Sequence, residues 1–231
     1  MNIKYLIIYV LCAFLTYSSS SAQECPDYYP LKTGTNWEMK HYDAKDKLSS
    51  STQTEILSYT PNDQGYELKL NSKSFDQKGE PVYTGEFVTK CVDGVFYVDM
   101  RSFLDPASMS GYQDMSISYE SQNLEFPSNL EAGMAMNDGS LTMTVTNQGV
   151  KLMTISTHIS NRKVEGKEDI TVEAGSFSAW KISYDIETKI IFKTKMHCVE
   201  YFVPGKGNVR TESYNEKGKL TDYSVLSSFS E

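Results

Sequence analysis

Trp180-Lys181-Ile182-Ser183-Tyr184-Asp185-Ile186-Glu187 decides the architecture. Apolar and polar side chains alternate along it with a period of two. In a strand, that period puts the apolar members on one face and the polar members on the other. The same rhythm recurs elsewhere. Leu141, Met143 and Val145 alternate with Thr142, Thr144 and Thr146, and Tyr66, Leu68 and Leu70 alternate with Glu67 and Lys69. One buried face and one wet face is the habit of antiparallel sheets. The chain therefore reads as mainly β.

Turn residues punctuate these runs: Asn62-Asp63-Gln64-Gly65, Asp93-Gly94, Asn137-Asp138-Gly139, Asn147-Gln148-Gly149 and Glu173-Ala174-Gly175. Asn and Asp open such turns and Gly takes the positive-φ position, so their spacing predicts successive hairpins. One turn repeats. Ser74-Phe75-Asp76-Gln77-Lys78-Gly79 is echoed by Ser213-Tyr214-Asn215-Glu216-Lys217-Gly218, and more weakly by Tyr42-Asp43-Ala44-Lys45-Asp46-Lys47. The pattern suits a type I turn closed by a left-handed residue and a bulge. Shared turn chemistry explains the echo without a duplicated ancestor. The serine run Ser49 to Ser51 reads as a loop. From Arg101 to Gly133 the rhythm breaks. Asp105-Pro106 has the form of a helix start, so at most one short helix or lid is expected near 103–114.

The N-terminus carries a separate signal. Lys4 precedes an apolar run from Tyr5 to Tyr17, too short for a stable span, and Ser20-Ser21-Ala22 fits a small-x-small cleavage site. A secretory leader over 1–22 is expected, followed by one antiparallel β domain over 23–231, located in the periplasm or outside the cell. Cys12 follows Leu11 and Cys25 follows Glu24, so neither fits lipid attachment. No later segment is apolar and long enough for a transmembrane helix.

There are 22 basic against 30 acidic side chains, a formal net charge of −8. Such a surface repels phosphate backbones, which argues against nucleic acid as a partner. Cys25, Cys91 and Cys198 remain beyond the leader. An oxidising compartment permits one bridge and leaves one thiol. The N-terminal arm needs tethering, so Cys25–Cys91 is the expected pair, although the sequence leaves other pairings open.

Catalytic signatures are absent: no His-Glu-x-x-His, no Gly-x-Ser-x-Gly, no phosphate-cradling glycine loop. His41 and His158 read as ordinary strand residues. His197-Cys198 is suggestive, but neighbours in a strand point to opposite faces, which argues against a nucleophile–base pair. No catalytic residue, metal ligand or cofactor is assigned. Methionine is the unusual residue. Met100, Met109, Met115, Met134, Met136, Met143 and Met153 crowd one region. Methionine re-packs around apolar partners of varied shape. Met115, Met134, Met136, Met143 and Met153 are therefore candidates to line an apolar ligand groove. Filling an imperfect core is the alternative.

Several segments together resemble a family of exported bacterial β proteins of unknown function, the TapB-like family. They are Cys25-Pro26-Asp27-Tyr28-Tyr29-Pro30 with Gly34 and Trp37; Cys91-Val92-Asp93-Gly94-Val95-Phe96-Tyr97-Val98-Asp99-Met100; Leu124-Glu125-Phe126-Pro127-Ser128; Val164-Glu165-Gly166-Lys167-Glu168; Val172-Glu173-Ala174-Gly175-Ser176-Phe177; and Tyr201-Phe202-Val203-Pro204-Gly205-Lys206-Gly207-Asn208-Val209. The chain departs from the pattern at Glu173, where Pro is common, and at Tyr201, where Trp is common. The resemblance implies a curved antiparallel sheet, a half-barrel or open barrel, similar to periplasmic lipoprotein carriers that hold acyl chains on a concave face. It carries over no functional residues. The expectation is a non-catalytic envelope protein that holds a lipid or other apolar small molecule. The runner-up is an assembly factor acting on an envelope protein partner, and a secreted hydrolase ranks below both.

Overall fold

The structure, a computed structural model, describes residues 24–104, 112 and 115–231. The leader expected over 1–22 lies outside the described residues. So does most of the short helix or lid expected near 103–114. Just before it, Met100–Phe103 form a single 3₁₀ turn, with the Asp99 carboxylate accepting from the Arg101 backbone N–H as its cap.

Thirteen strands make one antiparallel sheet: β1 (Asn36–Asp43), β2 (Leu48–Asn62), β3 (Gly65–Asp76), β4 (Pro81–Val92), β5 (Val95–Val98), β6 (Ser116–Gln122), β7 (Leu124–Phe126), β8 (Gly139–Asn147), β9 (Val150–Val172), β10 (Gly175–Lys189), β11 (Lys193–Val203), β12 (Gly207–Asn215) and β13 (Leu220–Ser230). Their order is β6-β8-β9-β10-β11-β12-β13-β1-β2-β3-β4-β5-β7. The two edges, β6 and β7, are consecutive in the chain with only Asn123 between them. One segment thus pairs first with β8 and then with β5. It draws the edges together into a nearly closed barrel, which removes most of the unpaired backbone an open sheet leaves. The serine run belongs to this sheet: Ser49–Ser51 lie within β2, not in a loop.

The three echoing turns are alike in detail. Asp43 Oδ1 accepts from the N–H groups of Lys45 and Lys47, Asp76 Oδ1 from Lys78 and Glu80, and Asn215 Oδ1 from Lys217 and Lys219. Each closes on a left-handed residue: Asp46 at φ 61°, Gly79 at 82°, Gly218 at 71°. They join β1–β2, β3–β4 and β12–β13, hairpins adjacent in the sheet. All three therefore crown one end of the barrel, its mouth.

The opposite end is the floor. Here the N-terminal arm is pinned to the barrel. Cys25 is bridged to Cys91, the Tyr66 hydroxyl donates to Pro26 O at 2.8 Å, and the Gly205 N–H donates to Asp27 O at 2.6 Å. The Tyr28 hydroxyl donates to Pro127 O. Tyr28 meets Phe96, Phe126 and Phe202 edge to face, at centroid distances of 5.6, 5.8 and 5.2 Å. Each such buried side chain contributes roughly 1.5–3 kcal/mol through area removed from water, so the aromatic cluster anchors this end.

Two features bend the sheet. At Asn161, φ is 54° and the β9–β10 register shifts, a bulge that turns Arg162 inward. The tip of the β9–β10 hairpin then reaches back against β1 and β13. Glu173 accepts from Lys40 Nζ at 2.6 Å and from the Tyr42 hydroxyl at 2.9 Å, and the Ala174 N–H donates to Leu226 O at 3.1 Å. Glu173 is the residue that makes this latch. No helix among the described residues is long and apolar enough to cross a membrane.

Candidate functional site

An open cavity of about 790 Å³ runs into the barrel from the mouth to the aromatic floor. That volume lies in the range of small-molecule sites. Strand alternation explains its lining. β1 turns Trp37, Met39 and His41 inward, β11 turns Met196, Cys198, Glu200 and Phe202 inward, and β10 adds Tyr184 and Ile186. Tyr29, Trp37, Phe126 and Phe202 form the floor. The Tyr29 ring lies 5.7 Å from Trp37, and Phe126 stacks on Phe202 at 5.3 Å.

The rest of the wall is hydroxyl-rich. β2, β3, β12 and β13 turn Ser50, Thr52, Ser72, Ser74, Ser213 and Ser224 to the cavity. Many of these groups hydrogen-bond to neighbours, as Thr52 does to His41 Nε2 at 3.1 Å. Burial holds His41 below the ordinary imidazole value, so it faces the cavity neutral near pH 7. The 3₁₀ turn contributes Ser102 and Phe103 to the wall, beside Asp99 and Leu104.

Four carboxylates face this space: Asp76, Asp99, Glu200 and Asp222. Neither Lys nor Arg is among the lining residues. Asp76 is held by its turn, Asp99 by the Arg101 guanidinium, and Asp222 by the Thr221 hydroxyl at 2.8 Å. Among the described residues, Glu200 has no hydrogen-bond partner. Its enclosure by the wall pushes its carboxyl up to about 7, and the field of Arg162 opposes that rise only in part. The Arg162 guanidinium is committed elsewhere. It donates to Glu125 O at 3.0 Å and Asn137 O at 2.6 Å, and lies 4.9 Å from the centre of the Phe126 ring. It thereby fastens β9 to β7, at the seam of the barrel.

The five methionines singled out from the sequence divide between two places. Met143 is fully buried with Val145 and Ile155 in a second small core, and Met115 and Met153 pack against it. Met136 is buried in the main core near the floor, and Met134 packs beside it. None of the five is among the residues lining the cavity; Met39 and Met196 are. Leu104 links the two regions, since it lines the cavity and packs against both cores.

The expected cysteine pair is present. Cys25 and Cys91 form a disulfide, and Cys198 is free and buried. Burial pushes the Cys198 thiol up to about 12, which leaves no thiolate at neutral pH. His197 points the other way, exposed, with Nδ1 2.8 Å from Asp185 Oδ1. Among the described residues, no hydroxyl or thiol hydrogen-bonds to its other nitrogen, and no three His, Cys, Asp or Glu side chains are grouped to hold a metal.

Sequence reasoning missed Glu200 and Arg162. Glu200 had a legible signal: it sits two residues from both Cys198 and Phe202, an acid on the apolar face of a strand. Arg162 had none, because a bulge decides its direction.

Two solved structures share this fold. A candidate lipoprotein from Parabacteroides distasonis matches with a TM-score of 0.78 at 23% identity, covering 90% of this chain and 100% of that one. A candidate exported protein with YmcC-like fold from Bacteroides fragilis matches with a TM-score of 0.77 at 22% identity, with 90% and 100% coverage. No curated protein matches the chain. The DUF3108-like family model spans residues 32–226, nearly the whole barrel from the start of β1 into β13, and the chain belongs to the DUF3108-like family.

Proposed function

We propose that this protein is an exported, non-catalytic binding protein of the envelope, whose barrel cavity holds a largely apolar small molecule such as a lipid. The carrying observation is the cavity of about 790 Å³, with its aromatic floor and hydroxyl-rich wall. A space of this size with aromatic rings at one end and hydroxyls along its wall suits a ligand with an apolar body and some polar atoms. Export is supported by the leader-like 1–22 segment and by the Cys25–Cys91 bridge, which requires an oxidising compartment. The two similar structures, described as a lipoprotein and an exported protein, agree with that location. A single domain over 23–231 and membership of the TapB-like branch are part of the same reading.

The methionines have a place in it. Met115, Met143 and Met153 lie behind Leu104, and their pliable side chains let that wall shift around ligands of varied shape. Native mass spectrometry of protein purified from its own envelope, without detergent, tests the proposal. A small-molecule adduct released on unfolding is the expected result. Bare protein in every preparation contradicts it.

One observation favours a second reading, an interaction factor for an envelope protein. The β10–β11 tip presents Ile190, Ile191 and Phe192 at 49%, 79% and 82% exposure. Three consecutive exposed apolar residues mark a contact surface more often than a solvated turn. A photo-crosslinker at Phe192 should then capture one partner protein in intact cells, and no capture would argue against it.

A further inference from the structure

We propose that the cavity's ligand carries a positively charged nitrogen, which docks on Glu200 against the aromatic floor. The inference rests on the cavity being a binding site and specifies the chemistry of what enters it.

Three observations converge. First, the fixed charge facing the cavity is one-sided: carboxylates line it and neither Lys nor Arg does. An anionic head such as a carboxylate or phosphate would meet repulsion there and no counter-charge. Second, Glu200 differs from the other lining acids. Asp76, Asp99 and Asp222 each accept hydrogen bonds from the protein, while Glu200 accepts none among the described residues. Glu200 is half-buried and opens onto the cavity, so an opposite charge arriving beside it forms an ion pair that no protein group already supplies. The groups that face it do not supply that charge. Tyr29 from the arm, Tyr184 from β10 and Cys198 from β11 are neutral, and all three feel the Glu200 charge. Arg162 on β9 also feels it, but its guanidinium is fastened to two backbone carbonyls and forms no ion pair with Glu200.

Third, the surroundings are aromatic. Tyr29, Trp37, Tyr184 and Phe202 line the same cavity as the carboxylate. Ring faces attract cations, most strongly where water is excluded. A single carboxylate among several rings is the chemistry that selects an ammonium over an alcohol or an acid of equal size. The apolar remainder of the ligand would lie along Phe87, Val98 and Leu124.

The test uses the mature protein and three probes of equal chain length below their micelle concentrations: decyltrimethylammonium, decanol and decanoate. Binding is followed by calorimetry and by tryptophan quenching in a W180F background, where Trp37 is the remaining indole. The ammonium should bind about tenfold tighter than decanol, and decanoate should bind weakest. E200Q should lose the ammonium preference, bringing the ammonium to within about threefold of decanol measured on the same variant. Decanoate binding as tightly as the ammonium, or a preference that survives in E200Q, overturns the inference and leaves the cavity a binding site. Failure of all three probes to bind overturns both readings.

Discussion

The ring of Tyr29 occupies the space where a side chain on Gly207 would begin. A Cβ built on Gly207 stands 2.9 Å from Tyr29 Cε1, and Gly207 adopts φ 79°. The Gly207 N–H also donates to Tyr28 O at 3.1 Å. Glycine at 207 is therefore what lets the N-terminal arm lie against the barrel end and complete its floor. G207A adds both a steric clash and left-handed strain, so it should cost roughly 1–3 kcal/mol of stability. Urea unfolding measures it, and the neighbouring Gly205, with open space around its Cβ position, is the control for strain alone.

Arg162 joins β9 to the closing segment through two backbone carbonyls and the face of Phe126. R162M keeps the apolar stem but leaves Glu125 O and Asn137 O without their donor. The expected loss is about 2–4 kcal/mol. R162K should rescue only in part: both bonds come from one guanidinium nitrogen, which an ammonium can imitate, but the planar group over the Phe126 ring is lost. Hydrogen exchange should report opening of β6 and β7 in R162M before the rest of the sheet.

The Cys25–Cys91 bridge spans 66 residues. Constraint of the unfolded chain by a loop that long is worth roughly 4 kcal/mol. The C25S/C91S double variant should unfold at correspondingly lower urea, while a reductant should leave that variant unaffected. The surface pair Lys40–Glu173 is the contrast. Both side chains are partly exposed, so E173A should change stability by about 1 kcal/mol or less.

Glu200 makes a signed prediction. Its folded carboxyl titrates near 7 against an ordinary 4.5. Between those values the folded protein holds a proton that the unfolded chain has released. Stability from this group is therefore fully present below about 4.5 and is lost as pH rises through about 7. E200Q removes that loss. Relative to wild type, E200Q should gain on the order of 1–3 kcal/mol between pH 5 and pH 8. Paired unfolding curves at the two pH values measure it, and a difference that does not change with pH would contradict the assignment.

Much of the barrel was legible because strand and turn chemistry are local. Trp180 to Glu187 and Leu141 to Thr146 announce their period, and the Asp43, Asp76 and Asn215 turns announce their geometry. The cavity was not legible in the same way. Sequence reasoning expected one face of each strand to be apolar and buried, so the serine run Ser49 to Ser51 read as a loop. In this barrel the hydroxyls of Ser50, Ser72 and Ser74 face inward, and only the three-dimensional closure at Asn123 reveals that they share an interior. The methionines drew attention because they are numerous. Their packing behind Leu104 depends on which elements the closed sheet brings together, which periodicity does not encode.

The central claim is that the space inside the barrel is where a ligand sits. Ser72 lines it and is only half-buried, so S72W places an indole in the cavity with little demand on the sheet. The decisive measurement is the fluorescence of N-phenyl-1-naphthylamine titrated with wild type and with S72W, after circular dichroism and thermal unfolding confirm that both are folded. Saturable enhancement with wild type and its loss in S72W is the result the account predicts. Equal enhancement by the two proteins, or none by wild type, would contradict it.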